Sequence, residues 1–336
     1  MKKEAIILAI ESSCDDTSAA ILKGRKVLSN EIANQNIHSL YGGVVPEIAS
    51  REHQKNIIPV VDVAIKKAGI NKREIDAVAF TKGPGLLGSL LVGNSFAKSF
   101  AMGMDIPIIA VNHMKAHILA HFIDEGNPTP NFPFLCLTVS GGHTQIVQVN
   151  SINKMKVIGT TLDDAAGEAF DKSAKILKLD YPGGPLIDKY SKSGDINAFK
   201  FGKPKVKNLD FSFSGLKTAV LYALEDLNEE DHADVAASFQ EAVIDALTTK
   251  LTWAVQDTKI CKLVCSGGVA SNKLLRERLK QMAINNNLEV SYPRMEFCTD
   301  NAAMIAYAGF IRKKFKLPTY PTNFARPRWP LGELYD

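Results

Sequence analysis

IILAIESSCDDTSAAIL, residues 6–22, reads as a hairpin: an apolar run at 6–10, a polar turn ESSCDDT at 11–17, and a second apolar run at 19–22. Each run reads as a short apolar strand, the two joined by a turn of small and polar residues. The same device returns at 135–149, where LCLTV leads into SGGHT and out through QIVQV. A third copy of the opening half, residues 262–265 into SGGVASN at 266–272, continues in a helical pattern instead. Repetition at this spacing predicts two related lobes facing each other across a cleft, their loops directed at one phosphorylated ligand.

Working outward, residues 46–67 carry Ile48, Ile57, Val60, Val61, Ala64 and Ile65 at a helical period, closed by Gly69. A strand at 75–81 runs into Lys82-Gly83-Pro84-Gly85, and a helix of small residues follows at 86–102. A strand at 108–111 precedes Asn112, the expected N-cap of a helix over 113–122. GNPTPNFP (126–133) is the best linker. Beyond it come the SGGHT hairpin, helices at 165–178, 213–227 and 231–258, and the SGGVASN strand–loop–helix. A final helix at 300–312 is expected to return to the first lobe. Strands alternate with helices, which predicts α/β architecture with mixed sheets. The expected domains are 1–125 plus 301–336, and 134–300.

The chain has 336 residues, enough for two ordinary domains, with 46% apolar and 23% charged residues. A formal charge of +4 permits an anionic partner without requiring one. Basic residues gather at Lys200, Lys203, Lys205 and Lys207, and at Arg312, Lys313, Lys314 and Lys316 ahead of Arg326 and Arg328. Solvated surface is the plainer reading of such runs. The five cysteines show no CxxC spacing; Cys136, Cys261 and Cys265 fall in strand patterns and read as core. That composition fits a reducing cytosol. The N-terminal apolar run is too short for a signal peptide, and no stretch approaches the roughly 20 apolar residues of a membrane span. The expectation is a cytoplasmic protein with no membrane contact.

His113 and His117 stand four apart at the start of a helix, so both imidazoles share one face, a spacing that suits a metal ion. His121 extends the row, and Asp300 in FCTDN, at another strand-to-helix turn, could close a His-His-carboxylate set. No glutamate sits between the histidines, so a zinc protease would lack its base. Ser140-Gly141-Gly142 offers backbone N–H groups to an anion, since glycine has no Cβ to hold a phosphate away. Lys82-Gly83-Pro84-Gly85 before a helix could do the same. No P-loop (GxxxxGKS or GxxxxGKT) is present. Tyr181-Pro182-Gly183-Gly184-Pro185 is a rigid turn before a helix; Asp171 and Asp188 could accept ribose hydroxyls or simply be solvated. Glu11, Asp15 and Asp16 crowd one turn and would repel unless a cation, an ammonium or a proton relieves them.

ESSCDDT, GGVVPEIASREH, GPGLLGSLLVG, NHMKAH, TVSGGHTQ, AGEAFDK, YPGGP, FSFSGLKTA, SGGVASN and FCTDN occur in that order between residues 11 and 301. This set resembles the TsaD family over nearly the whole chain. The resemblance implies a two-lobed fold of the actin, Hsp70 and sugar-kinase type (ASKHA), built from duplicated ribonuclease H-like domains. It implies transfer of the threonylcarbamoyl group from threonylcarbamoyl-AMP to N6 of the adenosine beside the anticodon in tRNAs that read ANN codons, with release of AMP. On matching positions, His113, His117 and Asp300 resemble the family's ligands to one divalent metal ion per subunit, iron (Fe2+) in most descriptions, with zinc compatible. Thr138, Val139, Ser140, Gly141, Gly142, Asp171, Gly184, Asp188 and Asn272 resemble its substrate-binding residues. The implied partners are tRNA, a TsaB-like paralogue and a TsaE-like ATPase. Ala116 replaces a frequent glycine and His121 is an additional imidazole, which leaves the coordination open. The adenine amine is a poor nucleophile, so a carboxylate should take its proton; Glu11 and Asp15 are the candidates. Rival readings are an ASKHA-type small-molecule kinase and a non-enzymatic, nucleotide-dependent scaffold.

Overall fold

The computed structural model describes residues 4–123, 129–202, 206–224, 231–314 and 325–332. Lys203, Lys205, Lys316, residues 126–128 of the expected linker and residues 225–227 of an expected helix lie outside the described residues. Strand β1 (Ile6–Glu11) is buried along its full length, as its unbroken apolar run requires. It pairs antiparallel with β2 (Asp16–Lys23), which pairs antiparallel with β3 (Lys26–Asn34). On its other side, β4 (Ala77–Gly83) and then β5 (Ile108–Asn112) join in parallel, giving the order β3-β2-β1-β4-β5.

Helix α1 (Pro46–Lys67) starts on a proline, whose missing N–H is no loss in a first turn. It packs on β2, β3 and α2 (Leu87–Met104), burying Ile57, Val60, Val61 and Ala64. The opposite face is covered by α9 (Ala302–Lys314), buried along most of its length over β1, β2, β4 and β5. A Cβ at Gly309 would stand 2.6 Å from the Ala79 Cβ, so only glycine lets α9 lie this close to β4. Two side chains from the sheet hold the start of α9: Ser18 Oγ accepts from Ala302 N at 2.8 Å, and Asn30 Oδ1 from Ala303 N at 3.2 Å. Helix α3 (His113–Leu119) follows β5 without a break.

The second sheet repeats the plan. β6 (Phe134–Val139) pairs antiparallel with β7 (Thr144–Ser151), and β7 with β8 (Lys154–Thr160). β9 (Lys262–Ser266) and β10 (Glu289–Ser291) add in parallel, giving β10-β9-β6-β7-β8. Helices α4 (Ala166–Ile176), α5 (Gly183–Tyr190), α6 (Ser214–Ala223), α7 (His232–Thr258) and α8 (Lys273–Asn286) complete this unit. Its core includes Phe170, Phe213 and Phe239, with Phe170 edge-on to Phe239 at 5.4 Å between centroids.

The chain divides into two compact units, residues 1–38, 44–129 and 293–336 in one, and 39–43 with 130–292 in the other. The chain therefore rejoins the first unit at Pro293, earlier than the expected 301, and Asp300 belongs with the histidines. Its return is fixed by the hydrogen bonds that the first N–H groups of α9 donate to Ser18 and Asn30. Strands β3, β8 and β10 are additions to the elements read from the sequence. β3 is a half-buried edge of mixed pattern, and β10 is three residues long. Cys136 and Cys265 are core, but Cys261 precedes β9 and is exposed. No helix among the described residues is long and apolar enough to cross a membrane.

Candidate metal centre and glycine turn

Asn112 ends β5 and caps α3: its Oδ1 accepts from Lys115 N at 3.1 Å, while its Nδ2 donates to the Trp329 carbonyl at 3.1 Å. The helix thus begins at the carboxyl end of a parallel strand with His113, and one turn later presents His117 beside it. The rings stand edge to face, 4.6 Å between centroids. Asp300 approaches from the turn before α9. Its Oδ1 lies 3.0 Å from His117 Nε2 and 3.4 Å from His113 Nε2, and the two nitrogens are 3.1 Å apart. Donors held about 2.1 Å from one cation stand about 3.0 Å apart at right angles and about 3.4 Å apart at tetrahedral corners. The triangle matches that range. Two imidazole nitrogens facing each other beside a carboxylate are a donor set for a cation, and His113, His117 and Asp300 form a candidate metal-binding triad. Both histidines are buried, and His117 Nδ1 has no hydrogen-bond partner in the structure.

Glu11 stands behind His113. Its Oε2 lies 3.0 Å from His113 Nδ1 and accepts the Thr81 hydroxyl at 2.6 Å; its Oε1 accepts Ser13 N–H at 2.5 Å. Burial alone would lower the His113 pKa, but Asp300 and Glu11 outweigh it and hold the ring's pKa well above the usual histidine value. Burial pushes the other way for Asp300 and Glu11, and His113 keeps both carboxyls below the ordinary range. Negative charge accumulates nearby: burial, then Asp15 and Asp300, push the Asp16 carboxyl up to about 7. Such a cluster is relieved by a cation.

Glu11 does not stand where an accessible base must. It is 0% exposed with both oxygens engaged. Asp15 is half-buried on the turn itself. That turn is held by a residue the sequence reading did not single out. His53, fully buried on α1, donates from Nε2 to the Cys14 carbonyl at 2.9 Å, so its Nδ1 is the acceptor for the Thr17 hydroxyl at 2.7 Å. The available signal was its place at the end of GGVVPEIASREH. His121 is buried and lies outside the triad, its pKa pushed down to about 3 by burial.

The glycines divide by use. A Cβ at Gly83 would meet the Arg326 carbonyl oxygen at 1.8 Å, and one at Gly85 the Ser13 oxygen at 2.4 Å. These residues let the chain pack on itself, and Arg326 N–H donates to the Lys82 carbonyl at 2.7 Å across that contact. Gly141 and Gly142 are exposed, with nothing within 4 Å of either Cβ position. Their turn is closed by Ser140 N–H to the His143 carbonyl at 2.8 Å, and Gly167 N–H of α4 donates to the Ser140 carbonyl at 3.2 Å. A helix N-terminus beside an open glycine turn is suited to an anion.

The other expected residues of this unit are distributed as follows. Thr138 and Val139 are fully buried in β6, with Ser266 Oγ donating to Thr138 Oγ1 at 3.4 Å. Asp171 Oδ1 accepts Gly183 N–H at 2.8 Å and so ties the YPGGP turn to α4. Gly184 and Asp188 are half-buried on α5. Asn272 is committed: Oδ1 caps α8 through Leu275 N–H at 2.9 Å, and Nδ2 donates to Gln240 Oε1 at 2.8 Å.

The family model described as TsaD: tRNA N6-adenosine threonylcarbamoyltransferase matches residues 26–307. A tRNA N6-adenosine threonylcarbamoyltransferase of Christiangramia forsetii is 57% identical over 312 residues, covering 90% of this chain and 92% of the relative. The Porphyromonas gingivalis protein of that name is 53% identical over 322 residues, covering 93% and 94%. Among solved structures, full-length HypF in its phosphate- and nucleotide-bound form aligns with a TM-score of 0.63 at 15% identity, over 95% of this chain and 48% of HypF. Component A of Acidaminococcus fermentans (R)-2-hydroxyglutaryl-CoA dehydratase aligns with a TM-score of 0.54 at 13% identity, over 93% of this chain and all of that one. These likenesses, with the duplicated five-stranded sheets, identify the fold as the two-lobed ASKHA type.

Proposed function

This chain belongs to the TsaD family of tRNA N6-adenosine threonylcarbamoyltransferases, and from that premise we propose how its residues divide the reaction. The donor is threonylcarbamoyl-AMP and the acceptor N6 of the adenosine beside the anticodon in tRNAs reading ANN codons. The N6–carbonyl bond forms, the carbonyl–phosphate bond breaks, AMP departs, and the amine proton passes to a base. The convergence of His113, His117 and Asp300 carries this reading. They would hold one divalent cation, Fe2+ by preference with zinc compatible, which supplies Lewis acidity toward the charge developing in transfer.

The chain's own groups do the rest. Ser140, Gly141 and Gly142 offer N–H groups beside the start of α4 to the adenylate phosphate. Asp171, Gly184 and Asp188 line the nucleoside, Thr138 and Val139 support the turn from β6, and Asn272 supports it from the cap of α8. Asp15, half-buried on its turn, takes the amine proton. A tRNA partner favours phosphate contacts from the exposed basic residues, and a TsaB-like paralogue and a TsaE-like ATPase complete a cytoplasmic system. The test is single-turnover transfer from synthetic threonylcarbamoyl-adenylate to unmodified tRNA, with this chain alone and with those partners. Asp15→Asn should slow transfer roughly 100-fold or more while adenylate binding stays unchanged. Equal loss of binding refutes the base assignment, and no transfer under either condition refutes the reading.

A further inference from the structure

We infer that Glu11 is the positioning residue that decides which nitrogen of His113 faces the cation. The inference rests on the triad reading and deepens it. His113 Nδ1 lies 3.0 Å from Glu11 Oε2 and 3.3 Å from Ser13 Oγ. An ionised carboxylate only accepts hydrogen bonds, so the proton between them belongs to Nδ1. That leaves Nε2, the atom 3.1 Å from His117 Nε2 and 3.4 Å from Asp300, as a lone-pair donor toward the triad's centre.

Glu11 can do this because its own position is fixed. It is the last residue of β1, paired with Ser18 of β2, and three donors (Ser13 N–H, the Thr81 hydroxyl and the His113 ring) share its two oxygens. His117 differs: its Nδ1 is buried with no hydrogen-bond partner in the structure. His113 is therefore the ligand anchored from β1 through its outer nitrogen, whereas the outer nitrogen of His117 has no such anchor.

Glu11→Gln keeps the shape and turns one acceptor into a donor. With the amide toward Ser13, two N–H groups oppose each other in a buried site. With the amide toward His113, Nδ1 becomes an acceptor, and the proton moves to Nε2, where it occupies the lone pair. Thr81 can adapt by rotating its hydroxyl; neither Ser13 N–H nor the ring can. Either arrangement weakens cation binding.

The experiment uses the full chain stripped with chelator, titrated with Co2+ and followed by visible absorption against a competing chelator. Glu11→Gln should bind roughly 10–100-fold more weakly than wild type, with shifted absorption bands. Thr81→Val removes a different hydrogen bond of the same carboxylate and should stay within about threefold, the scatter expected of a contact away from the ring. Glu11→Gln binding like wild type with an unchanged spectrum overturns the inference alone. So does an equal loss in Thr81→Val, because the effect would then be packing. A wild type that binds no Co2+ overturns the triad reading, and this inference with it. A readout independent of any variant's folding is the 15N spectrum of Zn2+-loaded wild type: His113 should show a protonated Nδ1 and a coordinated Nε2, and the reverse assignment refutes the role.

Discussion

Removing the Asp300 carboxylate tests the triad through its linkage to stability. Asp300 and His117 are 183 residues apart in sequence and 3.0 Å apart in space, so only the folded chain offers both to one cation. A cation that binds the folded state alone, at one hundred times its Kd, adds about 2.7 kcal/mol. Asp300→Ala leaves the two imidazoles. Losing an outer-sphere partner weakens metal sites up to roughly 100-fold, and losing a ligand should do at least that. At the same cation concentration the variant then sits near its own Kd, where the gain shrinks to about 0.4 kcal/mol. For a cooperative unit of about 150–250 residues each kcal/mol moves Tm by roughly 2–4 °C. Calorimetry of chelator-stripped protein, with and without Co2+, should therefore show a rise of roughly 5–10 °C in wild type and about 1 °C in the variant. Equal rises in the two proteins would show that the cation binds elsewhere and refute the reasoning.

His121, buried with its pKa pushed down to about 3, titrates at about 6.5 once unfolded, so the unfolded chain binds the extra proton. Stability from the neutral ring is complete above the unfolded value and is lost as pH falls toward 3. His121→Leu should remove about 2 kcal/mol of the destabilisation between pH 7.5 and 5, measured by urea unfolding; parallel pH profiles would contradict the burial argument. Gly83→Ala drives a Cβ into the Arg326 carbonyl and should destabilise by about 1–3 kcal/mol, moving the emission of buried Trp329 to the red, whereas Gly142→Ala, with open space around it, should do neither.

The two hairpins were legible because strands buried on both faces leave continuous apolar runs, and those of β1 and β6 are unbroken. The histidine pair was legible from its spacing of four. Asp300 was only a compatible carboxylate by spacing, and the resemblance singled it out; its partners lie on a strand-to-helix turn far away in sequence. The direction of Glu11 was not legible. An alternating strand reveals its inward face, but β1 is buried on both, so its final residue carries no sign of which way it points. The glycine turns illustrate the same limit. Gly83 and Gly142 sit in similar stretches, yet one is required by the backbone of Arg326 and the other faces open space. Cys261 was misread because an apolar run does not mark its own first residue.

The repeated topology explains where these differences are placed. In both units the order is two antiparallel strands, a central strand, then two parallel strands, and the turn after the central strand occupies the same position. Ligand sites of mixed and parallel sheets gather at the carboxyl ends of the parallel strands. In the first unit those ends hold Glu11 as the last residue of β1, Lys82 near the end of β4 and His113 after β5, with negative charge gathered around two imidazoles. In the second, the corresponding turn is Ser140-Gly141-Gly142, without a carboxylate and with its N–H groups beside a helix start. One copy of the device thus gathers donors suited to a cation, and the other presents N–H groups suited to an anion.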